Sequence, residues 1–242
     1  MSAFRYEHLS AVTEGEFAQR GAELLEKSIR SAISKRGHCT LGLSGGSTPR
    51  DIYTKLGESK EIDWSKVTVF LVDERHVPPD HKESNQRLVR ETLLKHTKIP
   101  PKNLIFPDTT LAIGQCIEKY EKDLRKLFPK EGPDIVVLGL GPDGHIASLF
   151  PGDIDALLEK EHLVLQTTTP STGSGQVPRF AIRDRITVTP PLLTRATLPL
   201  FLLTGEEKKK VFAETLSANT DPIEYPAHAL LQTGRSVWMT FF

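Results

Sequence analysis

Three short runs of this 242-residue chain carry side chains able to do chemistry. The first is Leu41-Gly42-Leu43-Ser44-Gly45-Gly46-Ser47-Thr48-Pro49. It reads as a short buried strand, a glycine turn and the first turn of a helix. Thr48 is expected to cap that helix, with Pro49 at its first position and Asp51 completing a capping box. The first amides of a helix have no internal acceptor, and Gly45 and Gly46 leave the backbone bare in front of them. Ser44, Gly45, Gly46, Ser47 and Thr48 together therefore read as a cradle for a phosphate or another anion.

The second run, Asp73-Glu74-Arg75-His76-Val77, follows an apolar segment at 67–72, which sets a charge cluster at the mouth of a sheet. The planar fork of Arg75 suits carboxylate and phosphate. Asp73 suits orienting a neighbour or binding sugar hydroxyls. A solvated loop with local ion pairs is the competing reading, and His76 and His81 read as lone loop histidines.

The third run is Gly139-Leu140-Gly141-Pro142-Asp143-Gly144-His145-Ile146-Ala147-Ser148-Leu149-Phe150-Pro151. Gly139, Gly141 and Gly144 match G-x-G-x-x-G letter for letter. The match lies in mid-chain, and Asp143 would set a carboxylate beside a pyrophosphate. The glycines instead let the backbone turn so that Asp143 and His145 face one pocket. His145 suits a general base, and Asp143 either orients it or contacts substrate. Downstream, Arg185 and Lys208 are placed to converge on the anion cradle. At least two of Lys208, Lys209 and Lys210 read as an exposed helix face. Neither a metal nor a cofactor is expected: the eight histidines are scattered, with no H-x-x-x-H and no cysteine pairing.

The elements that must position these groups follow from hydrophobic spacing. Phe17, Leu24, Leu25 and Ile29 predict a helix over 14–36, ended by Gly37. Continuous apolar runs predict buried strands at Cys39–Leu43, 67–72, 135–140 and 198–203. Further strands are expected at 163–166, 186–189 and 236–241, and helices at 49–56, 84–94, 115–127 and 206 to about 216. A loop rich in Ser, Thr, Gly and Pro is expected over 167–178. Alternating strands and helices imply an α/β fold, a mostly parallel Rossmann-like sheet with helices on both faces. No linker divides residues 1–242, so one domain is expected. In such sheets ligands bind beyond the carboxyl ends of the strands, where the motifs are expected to gather.

Composition narrows the classes. Lys+Arg and Asp+Glu are both 31, a net charge of zero, so no broad nucleic-acid or anionic-membrane surface is expected. No apolar run approaches a membrane span. The first residues lack the basic-then-apolar order of a signal peptide. Cys39 and Cys116 read as buried free thiols, which fits a reducing cytoplasm.

Taken in order, Ser44 to Pro49, Asp73 to Arg75, Ser84-Asn85, Gly139 to Pro151, Arg185 to Thr189 and Thr204 to Lys208 resemble the pattern of the 6-phosphogluconolactonase family over nearly the whole chain. Glucosamine-6-phosphate deaminases and isomerases share the phosphate loop and the Asp-Gly-His turn. They carry Asn-Glu-Pro where this chain has Leu149-Phe150-Pro151, and tend to have Asp-Glu-Tyr where it has Asp73-Glu74-Arg75. Both differences favour the lactonase. Two features depart from the usual lactonase: a longer, Gly- and Ser-rich loop at 167–178, and a chain that stops at Phe242, soon after Trp238.

The resemblance implies an isomerase/CoA-transferase-like fold and a monomer. It implies hydrolysis of 6-phospho-D-glucono-1,5-lactone to 6-phosphogluconate, with no cofactor. His145, Arg75 and Asp143 would be catalytic. Ser44, Gly45, Gly46, Ser47, Thr48, Asp73, Gly144, Arg185 and Lys208 would hold the substrate. Three rivals stand beside it: an amino-sugar phosphate isomerase or deaminase, a non-catalytic sugar-phosphate sensor, and a dinucleotide oxidoreductase.

Overall fold

Continuous apolar runs become strands covered on both faces. The computed structural model describes residues 5–170, 182–217 and 221–242. Along the chain the elements are β1 (Glu7–Ser10), α1 (Glu14–Arg36), β2 (Cys39–Leu43), α2 (Arg50–Gly57), β3 (Val67–Leu71), β4 (Asp73–Arg75) and α3 (Asn85–Val89). A π-helical turn over Arg90–Leu94 extends α3. There follow β5 (Leu104–Ile105), α4 (Ile113–Leu127), β6 (Ile135–Leu138), α5 (Ile154–Leu157), β7 (Val164–Thr168), β8 (Asp184–Val188), α6 (Pro190–Leu193), β9 (Leu198–Thr204), α7 (Glu206–Thr215), α8 (His228–Leu231) and β10 (Val237–Phe241).

Seven strands form one parallel sheet in the order β1-β10-β9-β6-β2-β3-β5, as the alternation of strands and helices implies. The strands expected near 163–166 and 186–189 do not extend it. They become β7 and β8, which run antiparallel and pair with β4 in a separate sheet of order β4-β8-β7. Of the loop expected over 167–178, Thr167 and Thr168 are the last residues of β7, and 171–181 lie outside the described residues.

Period-two alternation splits the core between the two faces of the parallel sheet. β6 sends Ile135 and Val137 to one side, Val136 and Leu138 to the other; β9 does the same with Leu200 and Leu202 against Phe201 and Leu203. The first face is covered by Phe17, Leu25 and Ile29 of α1. The second is covered by Tyr120 and Leu124 of α4 and by Phe212 of α7. Each fully buried aliphatic side chain contributes about 1.5–3 kcal/mol. α1 keeps its predicted bounds because both ends are locally encoded. The Thr13 side chain accepts from the Glu16 amide, and Gly37, at φ 80°, donates its N–H to the Ile33 carbonyl.

The connections reverse direction at one place. From β2 the chain runs outward through β3 to β5; from β6 it runs the other way through β9 to β10. β2 and β6 are neighbours, so the loops leaving their carboxyl ends diverge and open a crevice. At the opposite end the two strands are tied by buried Asp134. Its carboxylate accepts from the Thr40 amide at 2.7 Å and the Thr40 hydroxyl at 2.9 Å, and it pairs with the Arg36 guanidinium. Asp134→Ala leaves those donors without their acceptor far from the crevice. We expect it to lower the unfolding free energy by about 2–4 kcal/mol, read from the midpoint of urea denaturation.

Candidate active site

A cavity of about 190 Å³ lies at the switch between β2 and β6. Ser44, Gly45 and Gly46 form one wall, Asp73 and Arg75 a second, and His145 and Lys208 complete it. These groups leave the carboxyl ends of β2, β3, β6 and β9, as expected. Arg185 is the exception: it stands within the antiparallel strand β8.

The loop over Ser44 to Thr48 differs in detail from its expected form. Helix α2 begins at Arg50 after Pro49, with no side-chain cap, so neither Thr48 nor Asp51 makes a capping box. The reason is a competing partner: the Thr48 hydroxyl lies 3.0 Å from that of Thr204. Ser47 turns to an adjoining cavity of about 350 Å³, which shares Gly46, Arg75 and Asn85 with the first. Two tertiary ties hold the loop. The Tyr53 hydroxyl donates to the Ser44 carbonyl at 3.0 Å. The Asn85 carboxamide packs so closely on Gly45 that a Cβ there would collide with it. Gly46 sits at φ 98°, which disfavours any other residue.

Asp73-Glu74-Arg75 is a strand, not a loop. Alternation turns Asp73 and Arg75 to the cavity and Glu74 away from it. Glu74, fully buried, accepts from the amides of Arg75, Asn85 and Gln86 at 2.7–2.8 Å and from the Ser84 hydroxyl at 3.0 Å. Burial pushes its carboxyl above the usual range while those amides pull it back. It thus binds β4 to the start of α3, which Ser84 caps. Asn85 of α3 donates to the Asp73 carbonyl at 2.9 Å and its carboxylate at 3.2 Å. Arg75 donates to the Glu83 carbonyl at 2.5 Å. Residue type alone does not mark Glu74 and Asn85 as site residues. The period-two charge triplet and the Ser-Asn helix start were their signals.

After β6 the chain folds into a closed turn. Gly141 donates to the His145 carbonyl at 2.8 Å, and Gly144 at φ 91° donates to the Gly141 carbonyl. A Cβ on Gly141 would collide with the His145 ring and the Asp143 carboxylate. No helix follows until α5, so this segment lacks the helix N-terminus that a dinucleotide fingerprint needs. The Asp143 carboxylate meets His145 Nδ1 at 2.5 Å, a contact that two-residue spacing alone did not require. Burial raises the Asp143 carboxyl, but the hydrogen bond and charge of His145 outweigh it and hold it below its ordinary 3.8. Gly144 faces Glu224 and Tyr225 and serves the turn. Phe150 sets its ring 5.1 Å from that of His145.

Ala147, at φ 49°, sits in a tight turn closed by Ile146 and Leu149. The next residue, Ser148, ties three elements together. Its hydroxyl donates to Asp73 at 3.0 Å, its amide to Thr187 of β8, and its carbonyl accepts from Thr167 of β7.

The two downstream cations part company. Lys208 reaches the cavity, and burial holds its ammonium below the usual range. Arg185 is buried opposite Arg75 across the β4–β8 pair, its guanidinium pKa lowered first by burial and then by Arg75. Cys39 and Cys116 are buried free thiols, pushed up to about 12 and about 11 by burial, which leaves them no thiolate for chemistry near neutral pH. Among the described residues no His/Cys/Asp/Glu group could hold a metal ion, and no helix is long and apolar enough to cross a membrane.

Residues 12–238 match the family model described as glucosamine-6-phosphate isomerases/6-phosphogluconolactonase. A relative named "Probable 6-phosphogluconolactonase" from Dictyostelium discoideum is 37% identical over 228 residues, 93% of each chain. A 6-phosphogluconolactonase from Xylella fastidiosa is 40% identical, covering 87% of this chain and 85% of its own length. The structure resembles that of 6-phosphogluconolactonase from Thermotoga maritima, with TM-score 0.83, 30% identity and coverage of 98% and 99%. For 6-phosphogluconolactonase from Plasmodium vivax the TM-score is 0.85, at 30% identity and coverage of 96% and 89%.

Two outcomes follow from the site's geometry. Gly45→Ala should displace Asn85 and widen the cavity mouth, costing about 1–3 kcal/mol of stability as an overpacked site, measured by thermal unfolding. The Asp143–His145 pair should stabilise the fold fully above pH 3.8, the ordinary carboxyl value. That contribution is lost as pH falls through the lowered native value. The stability gap between wild type and Asp143→Asn should therefore close below about pH 4, as read from urea midpoints across pH.

Proposed function

This chain belongs to the glucosamine-6-phosphate isomerase/6-phosphogluconolactonase family, and on the residues of its cavity we propose that it hydrolyses 6-phospho-D-glucono-1,5-lactone to 6-phosphogluconate in the pentose phosphate pathway. The carrying observation is His145, held through Nδ1 by Asp143, lining one small cavity with the bare Gly45–Gly46 loop and Lys208. The amides of Gly45 and Gly46 and the Lys208 ammonium grip the phosphate. Asp143 engages Nδ1 of His145, which fixes the tautomer and makes Nε2 the proton acceptor.

Water attacks the lactone carbonyl as Nε2 takes one of its protons. The carbonyl electrons move onto oxygen, and Arg75 stabilises that charge. Collapse breaks the bond from C1 to the ring oxygen, and His145 returns the proton to the departing oxygen. The relay contributes about 10²–10⁴-fold, and one well-placed donor to the oxyanion about 3 kcal/mol. An ester this reactive needs no covalent intermediate. Ser148 is spent on Asp73 and is not in a nucleophile elbow.

Phe150 favours the lactonase branch of the family. The amino-sugar enzymes set a glutamate there for acid–base work, and a phenyl ring offers no proton. The competing sensor reading would require a missing base, yet His145 and Arg75 are both present in the cavity wall. The reading extends to one domain acting as a monomer in the cytosol, without nucleic acid. Zero net charge and two free thiols support the last two points, and the family resemblance supports the monomer.

Fresh 6-phosphogluconolactone at neutral pH, with product read by a coupled dehydrogenase and the spontaneous rate subtracted, tests this directly. Wild type should turn over rapidly, and His145→Ala should lose about 10²–10⁴-fold in kcat. Wild type no faster than buffer would remove the lactonase and bring the sensor or isomerase forward.

A further inference from the structure

A hydroxyl pair joins two loops that the sheet itself keeps apart. Thr48 closes the anion loop after β2, and Thr204 is the last residue of β9. Their Oγ1 atoms lie 3.0 Å from one another. β2 and β9 are not neighbours, because β6 runs between them. Two strand spacings therefore separate their ends, about 9–10 Å. Backbone hydrogen bonds fix each strand against β6 but say nothing of the span between the loops beyond them. The Thr48–Thr204 bond closes that span across the end of β6, the strand that delivers His145.

Each partner leads into one arm of the phosphate grip. Thr48 follows Gly45 and Gly46, whose amides form the first arm. Thr204 runs directly into Gly205 at φ 96°, and the turn into α7 carries Lys208 to the cavity as the second. A tetrahedral phosphate offers oxygens to both arms at once, and each contact weakens steeply outside 2.7–3.2 Å. The distance between the arms is therefore a quantity that binding depends on, and a slack of about 1 Å is enough to lose part of it.

We propose that Thr204 is a positioning residue: through Thr48 it fixes the span between the amide arm and the Lys208 arm, and so sets the preference for a phosphorylated lactone over an unphosphorylated one. This rests on the assignment of the phosphate to those two arms. Thr204 need not touch the ligand. Its main chain pairs with Phe241 in the sheet, a role that a β-branched replacement keeps.

Thr204→Val removes the hydroxyl and preserves the shape. We expect kcat/KM on 6-phosphoglucono-1,5-lactone to fall about 3–10-fold, the factor one neutral hydrogen bond is worth, through KM with kcat held. Binding of inorganic phosphate, measured by calorimetry, should weaken by the same factor. Hydrolysis of glucono-1,5-lactone and the melting temperature should not move. Thr204→Ser keeps the hydroxyl and should match wild type, and adding Thr48→Val to Thr204→Val should cost less than the two singles summed. A Thr204→Val protein that binds phosphate as wild type does, or that loses equally on both lactones, would overturn the proposal. A wild type inert to both lactones would defeat the lactonase reading alone, since the phosphate titration still decides the role of Thr204.

Discussion

Everything in the site depends on the pairing of β2 with β6. It is short, with Leu41 opposite Ile135 and Gly42 opposite Val136, yet it is where the connections of the sheet reverse. Two loops that leave adjacent strands in opposite directions cannot cover the ends of those strands. One of them is Ser44 to Thr48, whose bare backbone is where we propose the phosphate is held. The other is Gly139 to His145, which needs a turn tight enough to fold Asp143 under the imidazole. The crevice is thus a product of connectivity, and at Gly45 and Gly141 a side chain would collide with the groups that line it.

Around that crevice the small antiparallel sheet acts as a bracket. β4 runs on directly from the end of β3 and turns its charged residues in alternate directions. Glu74 fastens it to the head of α3, and Asp73 and Arg75 are left facing the cavity. Ser148 then fastens the His145 turn to both β4 and β8 through Asp73 and Thr187. The cost of that arrangement is visible at Ala147, held at φ 49° so that its neighbour can reach three partners. Asp73 has one carboxylate oxygen held by Asn85 and the other by Ser148, so its position in the wall is fixed from two sides.

Much of this was legible in the sequence where the cause is local. α1 is written in its apolar stripe, and Gly37 closes it. The runs at 67–72, 135–140 and 198–203 read as strands because a buried strand has nothing polar to hide. β1 and β5 left no such mark: the first is a largely exposed edge and the second is two residues long. Single-turn helices such as α5 and α8 are set by what packs on them. In the site, the residue types of Ser44 to Thr48, Arg75, His145 and Lys208 already suggest the chemistry we propose for them. Glu74, Asn85, Ser148 and Thr204 do not, because each acts through a partner elsewhere: 11 residues away for Glu74 and Asn85, 75 for Ser148 and Asp73, 156 for Thr48 and Thr204. Thr48 shows the same point in reverse, since its local pattern promised a helix cap and a distant hydroxyl claimed it.

The contact between Gly45 and Asn85 carries a consequence for how this chain can drift. The carboxamide occupies the space a side chain at position 45 would need. Neither residue is then free to vary by itself. A larger residue at 45 must displace the Asn85 carboxamide, and a smaller or displaced 85 leaves Asp73 without one of its donors. The two positions are therefore coupled, and a change at one alters the cost of a change at the other. A chain that changes both loses least when the two change together, or when a third residue supplies Asp73 from another direction.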